Sequence, residues 1–323
     1  MEQVAVIEAT GGPDVIGWRQ VDLPPPGPGE VRLRHGAVGL NFIDTYHRSG
    51  LYPLALPSGL GLEAAGIVEA VGEGVDQWQA GDRAGTFSGP LGAYATARNI
   101  AVAQLVRLSD AVDDRTAAAI MLKGATAAFL VEQCARVQTG QTVLVTAAAG
   151  GVGHLLVGWL KAVGATVIGT VSTEAKALRV RAAGADHVLL SSDDVVARVR
   201  EITDGQGVPV VLDGVGKATW PAALASASRR GLIVSYGNAS GPVAGVDLGL
   251  LARHGSLFVT RPTLFDYAVT PSERQALADR VFAMLAQGAI RPEIGQTFAL
   301  TDAAAAHRAI EAGETQGSTV LLP

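Results

Sequence analysis

The pattern of hydrophobic and polar positions divides the chain near residue 110. Before that point, short β-prone runs are separated by glycine, proline and aspartate: EQVAVIEA, EVRLRHGAVGL, AAGIVEAVGEG and AGDRAGTF. The proline-rich segment LPPPGPGE, residues 23–30, predicts a rigid connector between two of these runs. Short runs with frequent turn residues are typical of an irregular antiparallel or barrel-like β unit.

Beyond Asp113, strand-like and helix-like segments alternate. A long apolar helix comes first, and Gly124 within it predicts a bend or a break. The strand-like runs that follow are TVLVTA, ATVIGTV, HVLL, VPVVLD, GLIVSYG and SLFVT, with helical segments between them. Apolar, β-branched strands that alternate with helices predict a parallel sheet covered on both faces. Two further helices and the short strands TFAL and STVLL close the chain.

Composition disfavours several classes of protein. The chain has 323 residues with 48% hydrophobic content, which favours two domains with buried cores. Its net charge of −5 and its lack of a basic cluster disfavour binding to nucleic acid. The sequence predicts neither a signal peptide nor a membrane helix. Because the single cysteine, Cys134, excludes an intramolecular disulfide, we expect a cytoplasmic protein.

A glycine-rich turn joins the strand TVLVTA to the helix that follows it. The segment AAGGVG, residues 148–153, is a G-x-G-x-x-G pattern with alanine in the first place. Gly150 and Gly151 leave room for a pyrophosphate beside the backbone, and Gly153 allows close packing of the helix on the sheet. The pattern alone is equally compatible with a plain strand-to-helix turn. Its place between a strand and a helix, with a second strand at the right distance, predicts a dinucleotide site.

The end of that second strand indicates which dinucleotide is bound. An NAD site usually has Asp or Glu there to bind the ribose hydroxyls, whereas this chain has TVST at residues 170–173. Small hydroxyls leave room for a 2′-phosphate, and Lys176, one of four lysines, lies one helical turn beyond Ser172. Glu174 could bind the ribose, but its place at a helix start favours an interaction with the helix dipole. The sequence therefore predicts NADPH.

Several longer segments resemble one known superfamily. The segment GLEAAGIVEAVGEGVDQWQAGDRA, the AAAGGVG turn and the order of the domains are similar to the medium-chain dehydrogenase/reductases. Within that superfamily, VGLNFIDTYHRSGLYP, RRGLIVSYGNASG, SLFVTRPTL and TQGSTVLLP resemble the zinc-free NADPH:quinone oxidoreductases, relatives of zeta-crystallin. The resemblance covers nearly the whole chain.

The resemblance implies an α/β architecture with a cleft between two domains. It implies a GroES-like β-barrel catalytic domain at residues 1–120, a Rossmann doubly wound parallel-sheet domain at 121–264, and a return to the first domain at 265–323. Ser191 departs from the relatives, which often carry a tyrosine near the adenosine phosphate. The implied catalytic residues are Asn41, Tyr46, Tyr52 and Arg261, and the implied NADPH contacts are Asn41, Thr126, Gly150, Gly151, Val152, Ser172, Lys176, Ser191 and Asn238.

Structural roles remain open for three of these residues. Asn41 could hold a turn, Tyr52 could serve packing before a proline, and Arg261 could pair with Asp266.

The zinc ligands of related alcohol dehydrogenases are missing from this chain. Asn41 stands where those enzymes place a cysteine ligand, and Leu62 stands where they place a histidine ligand. One cysteine cannot form their four-cysteine structural site, and the six histidines show no metal-binding spacing. Without a Lewis acid to polarise an alkoxide, an acceptor that is already electrophilic, such as a quinone or an enone, is favoured over an alcohol.

Three functions stay open. The first is a zinc-independent NADPH:quinone reductase, and the second is an NADPH-dependent alkenal or enone reductase on the same scaffold. The third is a non-catalytic NADPH-binding protein with a crystallin-like or RNA-binding role, which the acidic composition disfavours. A Ser-His-Asp hydrolase is disfavoured because the chain has no G-x-S-x-G segment.

The strand GSLFVT, residues 255–260, indicates how the chain associates. As the last strand of a doubly wound sheet it is expected at an edge, and it has three consecutive apolar residues without lysine or proline. Pairing of such an edge with its own copy through a two-fold axis predicts a homodimer. Alternatively, the segment 232–234 or a C-terminal segment shields this edge within one chain.

We expect catalysis to need no metal, because the amide of Asn41 and the side chain of Leu62 are not zinc ligands. Elemental analysis of the purified protein should find far less zinc than protein, and a chelator should not slow turnover with NADPH. A stoichiometric zinc whose removal abolishes activity would contradict this expectation.

Overall fold

The computed structural model describes the whole chain, residues 1–323, and the chain divides into two compact units. The first unit comprises Met1–Ala125, Ala268–Phe282 and Pro292–Pro323. The second comprises Thr126–Tyr267 and Ala283–Arg291. Both ends of the chain therefore belong to the first unit, and one long middle segment forms most of the second.

Fifteen strands and nine α-helices follow one another along the chain. The strands are β1 (Glu2–Val6), β2 (Gly17–Val21), β3 (Glu30–Leu40), β4 (Glu63–Val71), β5 (Arg83–Thr86), β6 (Ala97–Ala101), β7 (Val106–Arg107), β8 (Thr142–Val145), β9 (Thr166–Val171), β10 (His187–Leu190), β11 (Val208–Asp213), β12 (Ala227–Ser235), β13 (Phe258–Thr260), β14 (Ile294–Ala299) and β15 (Ser318–Leu322). The α-helices are α1 (Phe42–Ser49), α2 (Asp114–Ala128), α3 (Gly151–Val163), α4 (Glu174–Ala182), α5 (Val195–Ile202), α6 (Trp220–Ser226), α7 (Leu248–Arg253), α8 (Pro271–Ala286) and α9 (Ala303–Glu311).

The first unit is built on a mainly antiparallel sheet, which confirms the irregular β unit predicted from the sequence. Its strand order is β14–β15–β3–β4–β5–β7, and β6 also pairs with β3. Two shifts of register between β3 and β4 bend the sheet. One core contains Leu33 and Ile100, and a second contains Leu40 and Tyr94.

The second unit is a doubly wound parallel sheet with the strand order β10–β9–β8–β11–β12–β13. All five neighbouring pairs are parallel. Counted along the chain, this is the 3-2-1-4-5-6 order of Rossmann folds, so the predicted fold is confirmed. Ile168, Val211 and Ile233 belong to its fully buried core. Since the strands are parallel, the loops that follow them meet at one edge, which places the glycine-rich turn among them.

The predicted break near Gly124 is wrong. Helix α2 runs through this residue without interruption and continues as a π-helical turn at Phe129–Cys134. Gly124 is needed for packing, because a Cβ there would lie 2.7 Å from a methyl carbon of Val281 on α8. A glycine that allows two helices to approach closely has the same sequence signal as one that breaks a helix.

The stretch Asp114–Cys134 is long and apolar enough to cross a membrane, contrary to the expectation that the chain has no such segment. However, 72% of its most apolar window is buried inside the protein. Burial to this extent is typical of a core helix, whose apolar side chains contact other protein atoms.

The edge strand β13 pairs with β12 on one side and with no strand on the other. Its position at the sheet edge is therefore as predicted. The segment 232–234 pairs with its inner side, and the C-terminal strand β15 belongs to the sheet of the first unit, so neither shields the edge by strand pairing. Phe258 and Val259 are 58% and 39% exposed.

Candidate active site

The glycine-rich turn leads directly into α3, which has Gly150 as its N-cap residue and Gly151 as its first residue. No side chain caps this helix end, so the N–H groups of the first turn, including that of Val152, are available to a ligand. Gly153 packs so closely on the turn that a Cβ would lie 2.3 Å from the carbonyl oxygen of Ala147. The open helix end, held close to the turn by the packing of Gly153, forms a cradle for phosphate groups.

The fully buried carboxylate of Asp213, which the sequence analysis did not identify, holds this turn in place. At the end of β11 it accepts hydrogen bonds from the hydroxyls of Thr146 and Thr219, both at 2.7 Å. It also accepts from the backbone N–H groups of Val215 and Gly216, both at 3.2 Å. The carboxylate therefore ties the end of β8 to the loop after β11. The available sequence signal is an acidic residue that closes the apolar run VPVVLD.

A small polar group lies at the end of β9. The hydroxyl of Thr173 caps α4 by accepting from the backbone N–H of Lys176 at 3.3 Å. The ammonium of Lys176 donates to the hydroxyl of Ser172, also at 3.3 Å. Glu174, in the first turn of α4, forms an ion pair with Arg181 at 3.8 Å. A cation and a hydroxyl thus lie side by side at the strand end, an arrangement suited to a phosphate.

Three further predicted residues follow the carboxyl ends of β10, β12 and β13. The backbone N–H of Ser191 donates to the last carbonyl of β9 at 2.7 Å. Arg261 donates to the carbonyl oxygens of Ser235 and Gly237 at 2.8 and 3.1 Å. With the Asn238 amide in the orientation that satisfies both of its ends, its oxygen accepts from Arg261 at 3.0 Å. Arg261 therefore holds the loop that carries Asn238.

In the first unit, Asn41 lies between β3 and α1 and is 4% exposed. Its amide nitrogen donates to the carboxylate of Glu63 at 2.8 Å. Asn41 and Asp44 also form a reciprocal capping box, in which the Asp44 carboxylate accepts from the Asn41 backbone N–H at 2.9 Å. The structure therefore shows the turn-holding role that the sequence left open, while a contact with substrate or cofactor stays a prediction.

Glu63, the first residue of β4, is completely buried. Besides the amide of Asn41, the backbone N–H of Leu122 donates to this carboxylate at 2.7 Å, and the ammonium of Lys123 lies 3.5 Å from it. Burial raises the pKa of Glu63, whereas the Lys123 charge and the hydrogen bonds from Asn41 and Leu122 lower it. Sequence reasoning missed this cluster because its members come from three separate segments.

A second buried network joins α1 to α9. The Tyr94 hydroxyl lies 3.0 Å from both Asp44 and His307, and Arg48 lies 3.1 Å from the other ring nitrogen of His307. Burial and the Arg48 charge lower the pKa of His307 to about 3, whereas burial raises the pKa of Asp44 to about 7. With His307 neutral, Arg48 donates to Nδ1, Nε2–H donates to Tyr94, and Tyr94 donates to Asp44. Arg48 also pairs with Glu311 at 2.6 and 3.0 Å.

Tyr46 and Tyr52 are brought together at the end of α1. Their ring centroids are 5.2 Å apart in an edge-to-face arrangement, and the backbone N–H of Tyr52 donates to the carbonyl of Tyr46 at 3.1 Å. Phe42 lies 5.7 Å from Tyr46, and His47 lies 5.9 Å from Tyr52, measured between centroids. Such a group of tilted rings forms a mostly apolar cluster of aromatic faces and edges, a kind of lining that occurs in ligand pockets.

Apart from Thr126, which lies on α2 and is partly buried, the predicted site residues fall into two groups. Their assignment to cofactor or substrate stays a prediction. The first unit contains Asn41, Tyr46 and Tyr52. The carboxyl edge of the parallel sheet contains Gly150, Gly151, Val152, Ser172, Lys176, Ser191, Asn238 and Arg261.

The residues present fit the phosphates of a dinucleotide but do not fit a metal ion. The phosphate cradle has an uncapped helix end, and Gly153 in its first turn is packed too closely for a Cβ. No group of three or more His, Cys, Asp or Glu side chains could hold a metal. At the ligand positions of the zinc enzymes, the Asn41 amide is bound to Glu63, and Leu62 is an apolar residue with 3% exposure.

Comparison with known proteins gives consistent matches across the chain. Residues 27–110 match the alcohol dehydrogenase GroES-like domain, and residues 151–283 match the zinc-binding dehydrogenase model. The quinone oxidoreductase of Pseudomonas aeruginosa is 53% identical over 317 residues, which cover 98% of each protein. The 2-haloacrylate reductase of a Burkholderia species is 44% identical over 334 residues, covering 100% of this chain and 99% of that protein.

One solved structure matches both the fold and the length. The Escherichia coli quinone oxidoreductase complexed with NADPH has a TM-score of 0.97 to this chain at 43% sequence identity. The match covers 99% of this chain and 100% of that one.

We expect Lys176→Ala to weaken the binding of NADPH and to leave the binding of NADH nearly unchanged. A charge-assisted hydrogen bond contributes about 1.5–3 kcal/mol, which corresponds to about ten- to a hundredfold in affinity. Calorimetric titration with both cofactors measures the difference. Lys161→Ala, which removes an ammonium bound to Asp186 instead, is the control and should change neither affinity. Equal losses for NADPH and NADH in the Lys176 variant would show that this residue does not bind the 2′-phosphate.

Proposed function

Because the chain belongs to the quinone oxidoreductases of the medium-chain dehydrogenase/reductase superfamily, we propose that it is an enzyme that transfers a hydride from NADPH to a quinone. The observation that carries this proposal is the phosphate cradle at the carboxyl edge of a Rossmann sheet, with Ser172 and Lys176 at the end of β9. A relative of the same fold was solved with NADPH. The non-catalytic alternative loses support, because relatives named as enzymes match over nearly the whole chain.

NADPH, when bound, supplies the hydride, and the chain binds and orients it. We propose that the N–H groups of Gly151 and Val152 bind the pyrophosphate, as expected at an uncapped helix N-terminus. Ser172 and Lys176 bind the 2′-phosphate. The remaining proposed contacts come from Asn41, Gly150, Thr126, Ser191 and Asn238. We propose that the second unit is the cofactor-binding domain and the first unit the catalytic domain; the domain bounds 1–120, 121–264 and 265–323 stay a prediction.

On the acceptor side, we propose that Tyr46 and Tyr52 bind a planar ring. Their clustered rings support this assignment, because contact with an aromatic face or edge orients an aromatic or quinonoid acceptor and displaces water. Asn41 is held in one orientation by Glu63, so its amide is preorganised. Arg261 supports the loop at residues 235–238 and is assigned a positioning role in addition to its predicted place near the substrate.

We propose that the reaction needs no zinc, although one matching family model is described as a zinc-binding dehydrogenase. Asn41 and Leu62 occupy the ligand positions and do not form a metal site. A quinone is electrophilic enough to accept a hydride without a Lewis acid, and the solvent can protonate the product.

A second candidate function is the reduction of an electron-poor alkene, such as an alkenal or an enone. The 44% identity to an enzyme named 2-haloacrylate reductase favours this candidate. Quinones and enones are both conjugated carbonyl compounds, and in both the carbonyl oxygen gains negative charge when hydride arrives. One site can therefore serve both classes, with the shape of the pocket setting the preference.

A screen of NADPH oxidation across quinones, enones, aldehydes and simple alcohols tests this proposal. We expect turnover with quinones, and little or no NADP⁺ reduction with ethanol. Gly151→Val is the control variant, because its branched side chain would obstruct the phosphate cradle and abolish turnover in a folded protein. Fast oxidation of simple alcohols would contradict the proposal, and good rates with enones but none with quinones would favour the second candidate.

We further propose that the protein is a cytoplasmic homodimer joined at β13. The exposed apolar residues Phe258 and Val259 support this, together with the lack of a strand partner on one side of β13. A flat apolar edge of this kind readily pairs with another chain. Pairing of two copies through a two-fold axis buries the edge and closes the assembly.

We expect Val259→Pro to shift the protein towards monomer, with some loss of stability, because proline removes one backbone donor from the edge strand. Val259→Thr is the control, since threonine keeps both the backbone donor and the β-branched shape. Sedimentation velocity at micromolar concentration separates monomer from dimer. A monomeric wild-type protein under these conditions would overturn the proposed assembly.

A further inference from the structure

The ion pair between Lys123 and Glu63 is the most deeply buried pair of opposite charges in the first unit. The side chain of Lys123 is 7% exposed and that of Glu63 is 0% exposed, with 3.5 Å between the ammonium and the carboxylate. Placing two charges in a protein interior costs free energy that only good geometry and further hydrogen bonds offset. A buried lysine within the apolar stretch of α2 therefore needs a reason.

Lys123 compensates the charge of Glu63, but the hydrogen bonding of Glu63 does not require it. Its carboxylate already accepts short hydrogen bonds from the Asn41 amide at 2.8 Å and from the Leu122 backbone at 2.7 Å. The contact with Lys123 is the longest of the three. An ammonium has three N–H donors, and this long bond uses only one of them. Lys123 can therefore donate to a further oxygen without leaving Glu63.

The position of the ammonium is set by its surroundings. The Glu63 carboxylate occupies the space beside Gly39, where a Cβ would lie 2.3 Å from one carboxylate oxygen, and the hydrogen bonds from Asn41 and Leu122 hold it there. Lys123 shares Glu63 with Asn41, which is assigned to the active site. It also lies three residues before Thr126 on α2, so both side chains project from the same face of the helix. Lys123 thus shares a carboxylate with one residue assigned to the reaction and a helix face with another.

We propose that Lys123 is a further catalytic residue, whose ammonium donates a hydrogen bond to the carbonyl oxygen of the acceptor; this inference rests on the proposed function. As the β-carbon of an enone gains a hydride and forms a C–H bond, its C=C electron pair shifts to form a double bond to the carbonyl carbon. The C=O electron pair moves to the oxygen, and Lys123 stabilises the resulting enolate. A proton from solvent completes the reduction. For a quinone, the same donor stabilises the oxygen on which the negative charge collects.

In this role Lys123 supplies the positive charge that a metal ion supplies in zinc-dependent enzymes. The cluster of Asn41, Glu63 and Lys123 has no metal-ligand set, but it holds one cation in a water-poor environment. A fixed donor in such an environment stabilises a developing oxyanion more than it would in water.

Kinetics of Lys123→Met with a graded series of acceptors test this role. Loss of one oxyanion donor typically lowers kcat by about a hundred- to a thousandfold. We expect about that loss with a simple enone and a smaller loss with a strongly electrophilic quinone, which depends less on stabilisation of the oxygen. The dissociation constant for NADPH should stay within about twofold. Lys161→Met, which removes a lysine paired with Asp186, is the matched control and should leave all rates unchanged.

A charge-balanced double variant separates catalysis from structure. Lys123→Met alone leaves a carboxylate buried without its cation, which can destabilise the fold. Glu63→Gln/Lys123→Met removes both charges and keeps a hydrogen-bonding amide beside Asn41. If Lys123 only neutralises Glu63, the double variant should recover wild-type rates. If the ammonium acts on the acceptor, the double variant should show a wild-type melting temperature but the same loss with enones as Lys123→Met.

The outcomes distinguish this inference from the proposed function. If the wild-type protein oxidises NADPH with quinones or enones and the double variant is equally active, the role of Lys123 is overturned and the proposed function stands. A uniform loss across all acceptors, accompanied by weaker NADPH binding, would also overturn it, because that pattern indicates a structural role. If the wild-type protein turns over no acceptor, the proposed function itself fails.

Discussion

A carboxylate that has lost contact with water needs donors from the protein, and in the first unit this requirement concerns Glu63. Its donors come from the residue that precedes α1, from the backbone of α2 and from the Lys123 side chain. The strand β3 contributes Gly39, whose missing Cβ makes room for the carboxylate. Two strands and two helices are therefore held together by one acidic group. Displacing either helix would remove part of the hydrogen bonding of a buried charge, which is more costly than losing an apolar contact.

The second unit uses a buried carboxylate in a similar way. Asp213 joins the end of β8 to the loop after β11. Its carboxylate oxygens accept hydrogen bonds from two hydroxyls and two backbone N–H groups. In each unit a buried carboxylate, Glu63 or Asp213, holds neighbouring segments together close in sequence or space to residues assigned to the reaction. The contacts of Glu63 also fix the Asn41 amide and hold the Lys123 ammonium. They therefore connect the stability of the fold with the electrostatics proposed for catalysis.

Much of the architecture and part of the site follow from local sequence signals. Alternating β-branched runs and helices predict the parallel sheet, and the turn at residues 148–153 predicts the phosphate cradle. Ser172 and Lys176 are adjacent because they lie four residues apart across the start of α4, so their pairing is also a local property. The edge position of β13 follows from chain order alone, because in a doubly wound sheet the last strand of the series lies at an edge. The sequence by itself thus determined the features that depend on neighbouring residues and on strand order.

Features that depend on contacts between distant segments were decided only by the tertiary structure. Gly124 has the sequence signal of a helix break, but it is a packing position because Val281 approaches it from α8. In the sequence, Lys123 is a single charged residue in the apolar stretch of α2. Its partner, Glu63, lies sixty residues earlier, and only the folded structure shows the contact between them. The roles of Asp213 and Arg261 likewise depend on loops that follow other strands. The physical reason is that burial and desolvation, which give these groups their partners and their energies, are properties of the packed chain, whereas backbone periodicity is a property of consecutive residues.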